Sequence, residues 1–168
     1  MFIIISGTNR VGSNTLKVAK EYHRILIEKG NAATVFSLEG VNVLQRDAAF
    51  EAIEKEILMP NNTFIFVAPE YNGSFPGVLK LLFDTGKTHE LWWHKKALLT
   101  GVATGRAGNL RGLDHLTAVL NHMKVTVYPN QLPLSSIDKL LDDKGKFKDE
   151  ATINAINNQL DGFINWCK

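Results

Sequence analysis

The sequence predicts a single doubly wound α/β domain over residues 1–168, with a five-stranded parallel sheet in the order 2-1-3-4-5 and helices on both faces. Three observations predict it. Strand-like and helix-like runs alternate from end to end, the pattern that forces parallel strands joined by helical crossovers. The runs at residues 2–6 and 63–68 are continuous rather than alternating, as in strands buried on both faces. Polar, glycine-bearing loops follow the first, third and fourth strands, and ligands of such sheets bind beyond the carboxyl ends of the strands, where strand order reverses.

Each element has its own signal. The first strand, residues 2–6, is a β-branched and aromatic run. A helix is predicted over residues 14–29, with Leu16, Ala19, Tyr22 and Leu26 on one side and Gly30 as its stop. The second strand spans residues 33–38. Residues 47–58 carry Phe50, Ile53 and Ile57 at helical spacing with Asp47 as a cap, and Pro60 with Asn61-Asn62 ends that helix. The third strand, residues 63–68, leads through a loop to a helix with Pro76 in its first turn, continuing to Phe83. Residues 97–103 form the fourth strand. The next helix, residues 110–123, turns Leu113, Leu116, Leu120 and Met123 inward, and residues 125–128 make the fifth strand. The last helix, residues 151–166, carries Ile153, Ile156, Leu160 and Phe163 at helical spacing. Five strands and five helices result.

Composition narrows the function classes. Apolar residues make up 45% and charged residues 21%, which fits a folded globular chain rather than a disordered one. A formal charge of +2, with basic residues scattered among acidic ones, gives no nucleic-acid footprint. The apolar start, Met1 to Ile5, lacks a charged n-region and reaches Gly7 too early for a signal peptide, and no later run has membrane-span length. The single cysteine, Cys167, excludes an internal disulfide framework and suits a reducing cytoplasm. None of the five histidines falls in a metal-binding arrangement, so no metal is expected.

The loop after the first strand reads Gly7-Thr8-Asn9-Arg10-Val11-Gly12-Ser13-Asn14-Thr15. It runs from a strand into a helix, so backbone N–H groups and the positive helix end form an anion site. Thr8, Ser13 and Thr15 add hydroxyls, and Arg10 adds a guanidinium that pairs with phosphate. Gly7 and Gly12 mimic the start of a Walker loop, but the lysine that motif requires is missing. The second glycine of the dinucleotide fingerprint is missing too, since Asn9 takes its place. A terminal phosphate is favoured over a pyrophosphate.

The loop after the third strand, Pro69-Glu70-Tyr71-Asn72-Gly73-Ser74-Phe75-Pro76-Gly77, is the most distinctive stretch. Two prolines fix its backbone and two glycines permit close approach, so a flat ligand can lie against main chain here. The two loops together resemble the NADPH-dependent FMN reductase family, which includes azoreductase and quinone or chromate reductase members. Gly7 to Ser13 is similar to that family's G-S-x-R-x-x-S, and Pro69 to Gly77 to its P-E-Y-N-x-S-x-P-G. The resemblance continues in Thr104-Gly105-Arg106-Ala107-Gly108-Asn109-Leu110-Arg111-Gly112-Leu113, in Leu132-Pro133, and in Asp143-Lys144-Gly145-Lys146-Phe147 with Asp149-Glu150.

That resemblance implies a flavodoxin-like fold and bound flavin mononucleotide (FMN). Thr8, Arg10, Ser13, Asn14 and Thr15 would hold the phosphate, while Pro69, Glu70, Tyr71, Asn72, Gly73 and Ser74, with Thr104, Gly105 and Arg106, would flank the isoalloxazine. NADPH or NADH would deliver a hydride to the ring, and a small-molecule acceptor would then take its place, so that the cofactor carries the chemistry. Arg106 and Arg111 are candidates for the NADPH phosphates. The family implies a homodimer or homotetramer with no membrane partner. After Lys80, the sequence departs from the family's N-A-I-D-W and reads Leu81-Leu82-Phe83-Asp84-Thr85, which bears on subunit contacts and substrate choice.

The competing reading is a flavodoxin-type electron carrier reduced by a partner protein. Such carriers are strongly acidic, and a charge of +2 argues against it. Trp92 and Trp93 fit either a ring-stacking or dimer surface or packing against the core. Glu70 fixes loop shape rather than shuttling protons, and Gly73 to Gly77 is not a nucleophile elbow, because the serine is not centred between the glycines.

Overall fold

The structure, a computed structural model, describes residues 1–168. In chain order the elements are β1 (Phe2–Ser6), α1 (Asn14–Glu28), β2 (Ala33–Ser37), α2 (Ala48–Ile53), β3 (Thr63–Pro69), α3 (Gly77–Thr85), α4 (Thr88–Leu91), β4 (Lys96–Val102), α5 (Leu110–His122), β5 (Thr126–Val127), β6 (Leu132–Leu134), α6 (Ile137–Leu140) and α7 (Glu150–Cys167). The sheet runs β2-β1-β3-β4-β5, every pair parallel, with β6 also pairing β4. This is the predicted order.

Burial follows from the two-residue period of a strand. Ile3 and Ile5 of β1, Phe64 and Phe66 of β3, and Ala97 and Leu99 of β4 face one core, shared with Leu79, Leu82 and Phe83 of α3 and Leu113, Leu116 and Leu120 of α5. Ile4, Ile65, Val67 and Leu98 face the other, against Val18, Ala19, Tyr22 and Leu26 of α1 and Ile156, Leu160 and Phe163 of α7. Two apolar layers therefore clamp the sheet, which is why its central strands read as unbroken apolar runs. Trp92 belongs to the first layer: it is fully buried, with its ring centroid 5.2 Å from Phe83 and 5.4 Å from Phe64. Trp93 stays at the rim, where the Lys124 ammonium lies 3.5 Å from its ring centroid. Of the two placements open in the sequence, core packing holds for Trp92.

The predicted fifth strand needs correction. Only Thr126 and Val127 pair there, with Lys96 and Ala97; the position is then resumed by Leu132–Leu134, which pairs with Thr100–Val102. Six strands result, not five. Between the two pieces the ladder lacks strand donors, and the side chain of Gln159 supplies them: its amide donates to the Leu99 carbonyl at 3.1 Å and to the Asn130 carbonyl at 2.9 Å. Its oxygen accepts from the Tyr22 hydroxyl at 2.7 Å. The Thr100 hydroxyl in turn donates to Tyr22 at 2.9 Å, so α1, β4 and α7 share one buried polar network. Burial pushes the Tyr22 phenol well above its ordinary range, the Thr100 hydrogen bond opposing it, which keeps the group a neutral donor.

The helix predicted over residues 47–58 is also modified. Ala48–Ile53 is α-helical, capped by Asp47, whose side chain accepts the Phe50 amide at 2.9 Å. Glu54–Leu58 then widens into a π-helical turn. Glu54, at the junction, is fully buried, and its carboxylate pairs with Arg46 at 2.7 Å. Short helices α4 and α6 complete a total beyond the five predicted.

Replacing Gln159 by Leu keeps the volume but leaves the Leu99 and Asn130 carbonyls and the Tyr22 hydroxyl without their partner. The expected loss is about 2–4 kcal/mol of unfolding free energy, read from urea denaturation. A change within about 0.5 kcal/mol, the scale of surface substitutions, would show that the network does not hold the split strand.

Candidate active site

Strand register brings the three polar loops together. Ser6 lies beside Val67, and Pro69 beside Val102, so the loops leaving β1, β3 and β4 emerge at one edge of the sheet. The pairing even extends past the strands: the Gly7 amide donates to Val67 at 2.9 Å and the Glu70 amide to Val102 at 3.0 Å.

The loop after β1 ends at Ser13, the N-cap of α1, whose side chain accepts the Leu16 amide at 3.1 Å. The first-turn amides of Asn14 and Thr15 have no helical carbonyl to bind and carry the positive end of the helix. Arg10, Ser13, Asn14 and Thr15 line a cleft of about 180 Å³ with Pro69, Glu70 and Tyr71 on its far wall. Thr8 does not line this cleft. It is buried beneath, 1% exposed, and its hydroxyl shares a 2.7 Å hydrogen bond with the Tyr71 hydroxyl. Thr8 Oγ1 also accepts the Arg10 amide at 3.3 Å, and the Arg10 guanidinium stacks 4.4 Å from the Tyr71 ring centroid. The predicted phosphate residues are thus one assembly, with Thr8 as its support.

The loop after β3 is a tight hairpin. The Tyr71 amide donates to the Ser74 carbonyl at 2.8 Å and the Ser74 amide returns a bond to Tyr71 at 3.1 Å. Asn72 and Gly73 sit between them with φ of +52° and +78°, a type I′ turn that the Asn-Gly pair favours. The Arg111 guanidinium lies beside Gly73, 3.0 Å from where a Cβ would stand. The Ser74 hydroxyl is hydrogen-bonded to His115 Nδ1 at 2.9 Å, which ties the hairpin to α5.

Glu70, Ala103 and Thr104 line both the first cleft and a neighbouring depression of about 270 Å³, which also takes in Asn72, Gly73 and Gly105. The two make one elongated trough, cationic and hydroxyl-rich at the α1 end and walled by main chain at the other. Arg106 is exposed and lines neither part; Ser74 lies behind the hairpin.

Several residues that shape this trough escaped the sequence reading. Val102, Ala103 and Ile137 line the cleft. The first two stand at the carboxyl end of β4, where the strand-end rule points; Ile137 comes from a distant segment with no local signal. Asn109 matters more. It is fully buried in a left-handed conformation (φ +69°), and its amide donates to the Ala68 carbonyl at 2.9 Å, pinning the β4–α5 loop to β3.

A donor set of first-turn amides, two hydroxyls and a guanidinium suits a dianionic phosphate, and a flat wall of glycine-bearing main chain beside it suits a ring. Residues 1–139 match the sequence model of the family described as NADPH-dependent FMN reductase. The chain belongs to this family. As a member of the NADPH-dependent FMN reductases it is an oxidoreductase that works with FMN and NAD(P)H. It is 27% identical to an NAD(P)H-dependent FMN reductase of Pseudomonas aeruginosa, over 98% of this chain and 93% of that one. With a quinone reductase of Pseudomonas putida the identity is 31%, over 98% of this chain and 93% of the relative. A solved structure, the flavoenzyme NAD(P)H:(acceptor) oxidoreductase of Paracoccus denitrificans, superposes with a TM-score of 0.78 at 20% identity, covering 98% of this chain and 94% of its own. That likeness supports the flavodoxin-like fold. No helix is long and apolar enough to cross a membrane, and no cluster of three or more potential metal ligands occurs.

Asn109→Ala removes the bond to Ala68 and leaves alanine in a left-handed conformation. The expected cost is about 2–3 kcal/mol of stability. Hydrogen exchange of the residue 104–109 amides measures the loosening, which should exceed that of α7; equal protection in both proteins would remove Asn109 from this role.

Proposed function

We propose that the trough seats FMN with its phosphate at the first turn of α1 and its ring against the β3–α3 hairpin, and that the enzyme uses NAD(P)H to reduce small acceptors, quinones among them. The observation that carries the reading is the union, in one cleft, of Arg10, Ser13, Asn14 and Thr15 with the Pro69–Tyr71 wall. FMN held there by Arg10, Ser13 and Thr15 would supply the redox chemistry that couples nicotinamide oxidation to reduction of the acceptor.

The chain's own part is to bind and orient. Ser13 and Thr15 present hydroxyls beside the α1 amides, and Arg10, held by stacking on Tyr71, supplies positive charge without a carboxylate partner to neutralise it. The type I′ turn directs main chain toward the ring, and its left-handed residues keep side chains from filling the ring's place. Thr104 and Gly105 close the opposite side of the trough, with exposed Arg106 next in the chain and Arg111 beside Gly73 as cations for the dinucleotide's phosphates. The depression beside Asn72 and Gly105 is open to solvent, as a site that admits reductant and acceptor in turn requires. Relatives named as quinone reductases support small acceptors of that class. A chain of +2 charge belonging to a reductase family does not favour the electron-carrier alternative.

The test is flavin binding followed by turnover. Purified protein should quench FMN fluorescence and oxidise NADPH anaerobically in the presence of a benzoquinone. Arg10→Ala combined with Thr15→Val removes a charge-assisted contact and a hydroxyl, and FMN affinity should fall about 100-fold. An unchanged affinity in that double variant would move the phosphate elsewhere.

A further inference from the structure

Glu70 is the one carboxylate among the residues that line the trough. With Ala103 and Thr104 it belongs to both parts, the α1 cleft and the depression beside Asn72 and Gly73, so it stands where the two meet. The other charged group of the lining, Arg10, is stacked on the Tyr71 ring at the α1 end. Arg106 and Arg111 line neither part.

No cation of the protein neutralises this carboxylate. Glu70 is exposed, and none of the eight ion pairs involves it. The backbone that carries it is held on both sides. Pro69 ends β3 in register with Val102, the Glu70 amide donates to the Val102 carbonyl at 3.0 Å, and the Tyr71 amide donates to the Ser74 carbonyl at 2.8 Å. The loop's shape is set by these amide bonds, in which the Glu70 side chain takes no part. Its Cα cannot draw back from the trough without breaking the pairing to β4 or the hairpin.

A charge so placed bears on the family's chemistry. Oxidation of NAD(P)H gives up a hydride, two electrons and one proton, so a flavin that accepts it holds one more negative charge until a proton arrives from solvent. A carboxylate beside the ring repels that added charge, the more so once a bound ring has displaced screening water. Toward the oxidised ring, which carries no charge, the same carboxylate is close to indifferent.

We propose that Glu70 sets the driving force of the reaction: its carboxylate, against the flavin ring, disfavours the reduced cofactor relative to the oxidised one and makes the enzyme a stronger reductant toward its acceptors. The inference rests on the seating of FMN given above. Glu70 moves no proton and forms no bond in this role. Its effect appears in the reduction potential and, equivalently, in the ratio of affinities for reduced and oxidised flavin, which linkage makes one quantity.

The experiment measures the two-electron midpoint potential of FMN-loaded wild type, Glu70→Gln and Glu70→Asp by equilibration with a reference dye. Dissociation constants for oxidised FMN and, anaerobically, for reduced FMN are measured alongside. Glu70→Gln keeps the shape and removes the charge. It should bind reduced FMN about tenfold more tightly and oxidised FMN within about twofold of wild type, which raises the midpoint by about 30 mV for a two-electron couple. Glu70→Asp keeps the charge, and its affinity ratio should stay within about threefold of wild type, whereas a residue that only held the loop would be disturbed by Asp at least as much as by Gln. A Glu70→Gln midpoint unchanged or lowered, or a Glu70→Asp shift as large as that of Gln, would overturn the proposal while leaving the FMN reading intact. A wild-type chain that binds no FMN removes the foundation of both.

Discussion

The hydrogen bond between Thr8 and Tyr71, 2.7 Å long and partly buried, is the contact on which the rest of the site depends. It joins two loops, one leading to the helix that would hold a phosphate and one carrying the wall that would hold a ring, and it is the one side-chain hydrogen bond between them. Because Tyr71 is anchored from below, its ring becomes a platform for Arg10, and the guanidinium stands over the cleft instead of ranging through solvent. Thr8 is buried, and its hydroxyl braces the Tyr71 hydroxyl. Loop positions that look equivalent in sequence therefore divide into those that line the cleft and those that brace the ones that do.

That contact can form because the strands below it are fixed in register and clamped from both sides. β1, β3 and β4 each bury alternate residues in opposite apolar layers, so a slip of one residue would exchange the two faces and separate the loops. The network around Gln159 extends the same constraint to the far edge, where the sheet is interrupted: a side-chain amide takes the place of strand N–H groups, and β4 keeps a partner along its length. Asn109 performs a similar service at the near edge by bonding to β3 from the β4–α5 loop.

Much of this was legible in the sequence, and what was not has a common cause. Strand order, both core faces and the two polar loops at the carboxyl edge rest on periodicity and on local turn chemistry, which neighbouring residues write. The Asn72-Gly73 pair, for example, specifies its own type I′ turn. Gln159 and Asn109 act at sequence separations of 60 and 41 residues, through partners no local pattern identifies. The broken fifth strand had a local sign in Pro129, which has no N–H to give a ladder, but a replacement donor arriving from α7 had none. Trp92 was ambiguous because a large aromatic fits a core and a surface equally until its neighbours are known. For the site, Arg10, Ser13, Asn14 and Thr15 come together in one cleft as their shared loop suggests, while the placement of Thr8 beneath Tyr71 required the structure.

The most direct test of the central claim is a crystal structure of the enzyme grown with FMN. The account predicts the phosphate at the first turn of α1, within reach of Arg10, Ser13 and Thr15, and the ring between the Asn72-Gly73 hairpin and the Thr104–Gly105 loop. Flavin bound with its phosphate away from α1, or with its ring outside that trough, would contradict it.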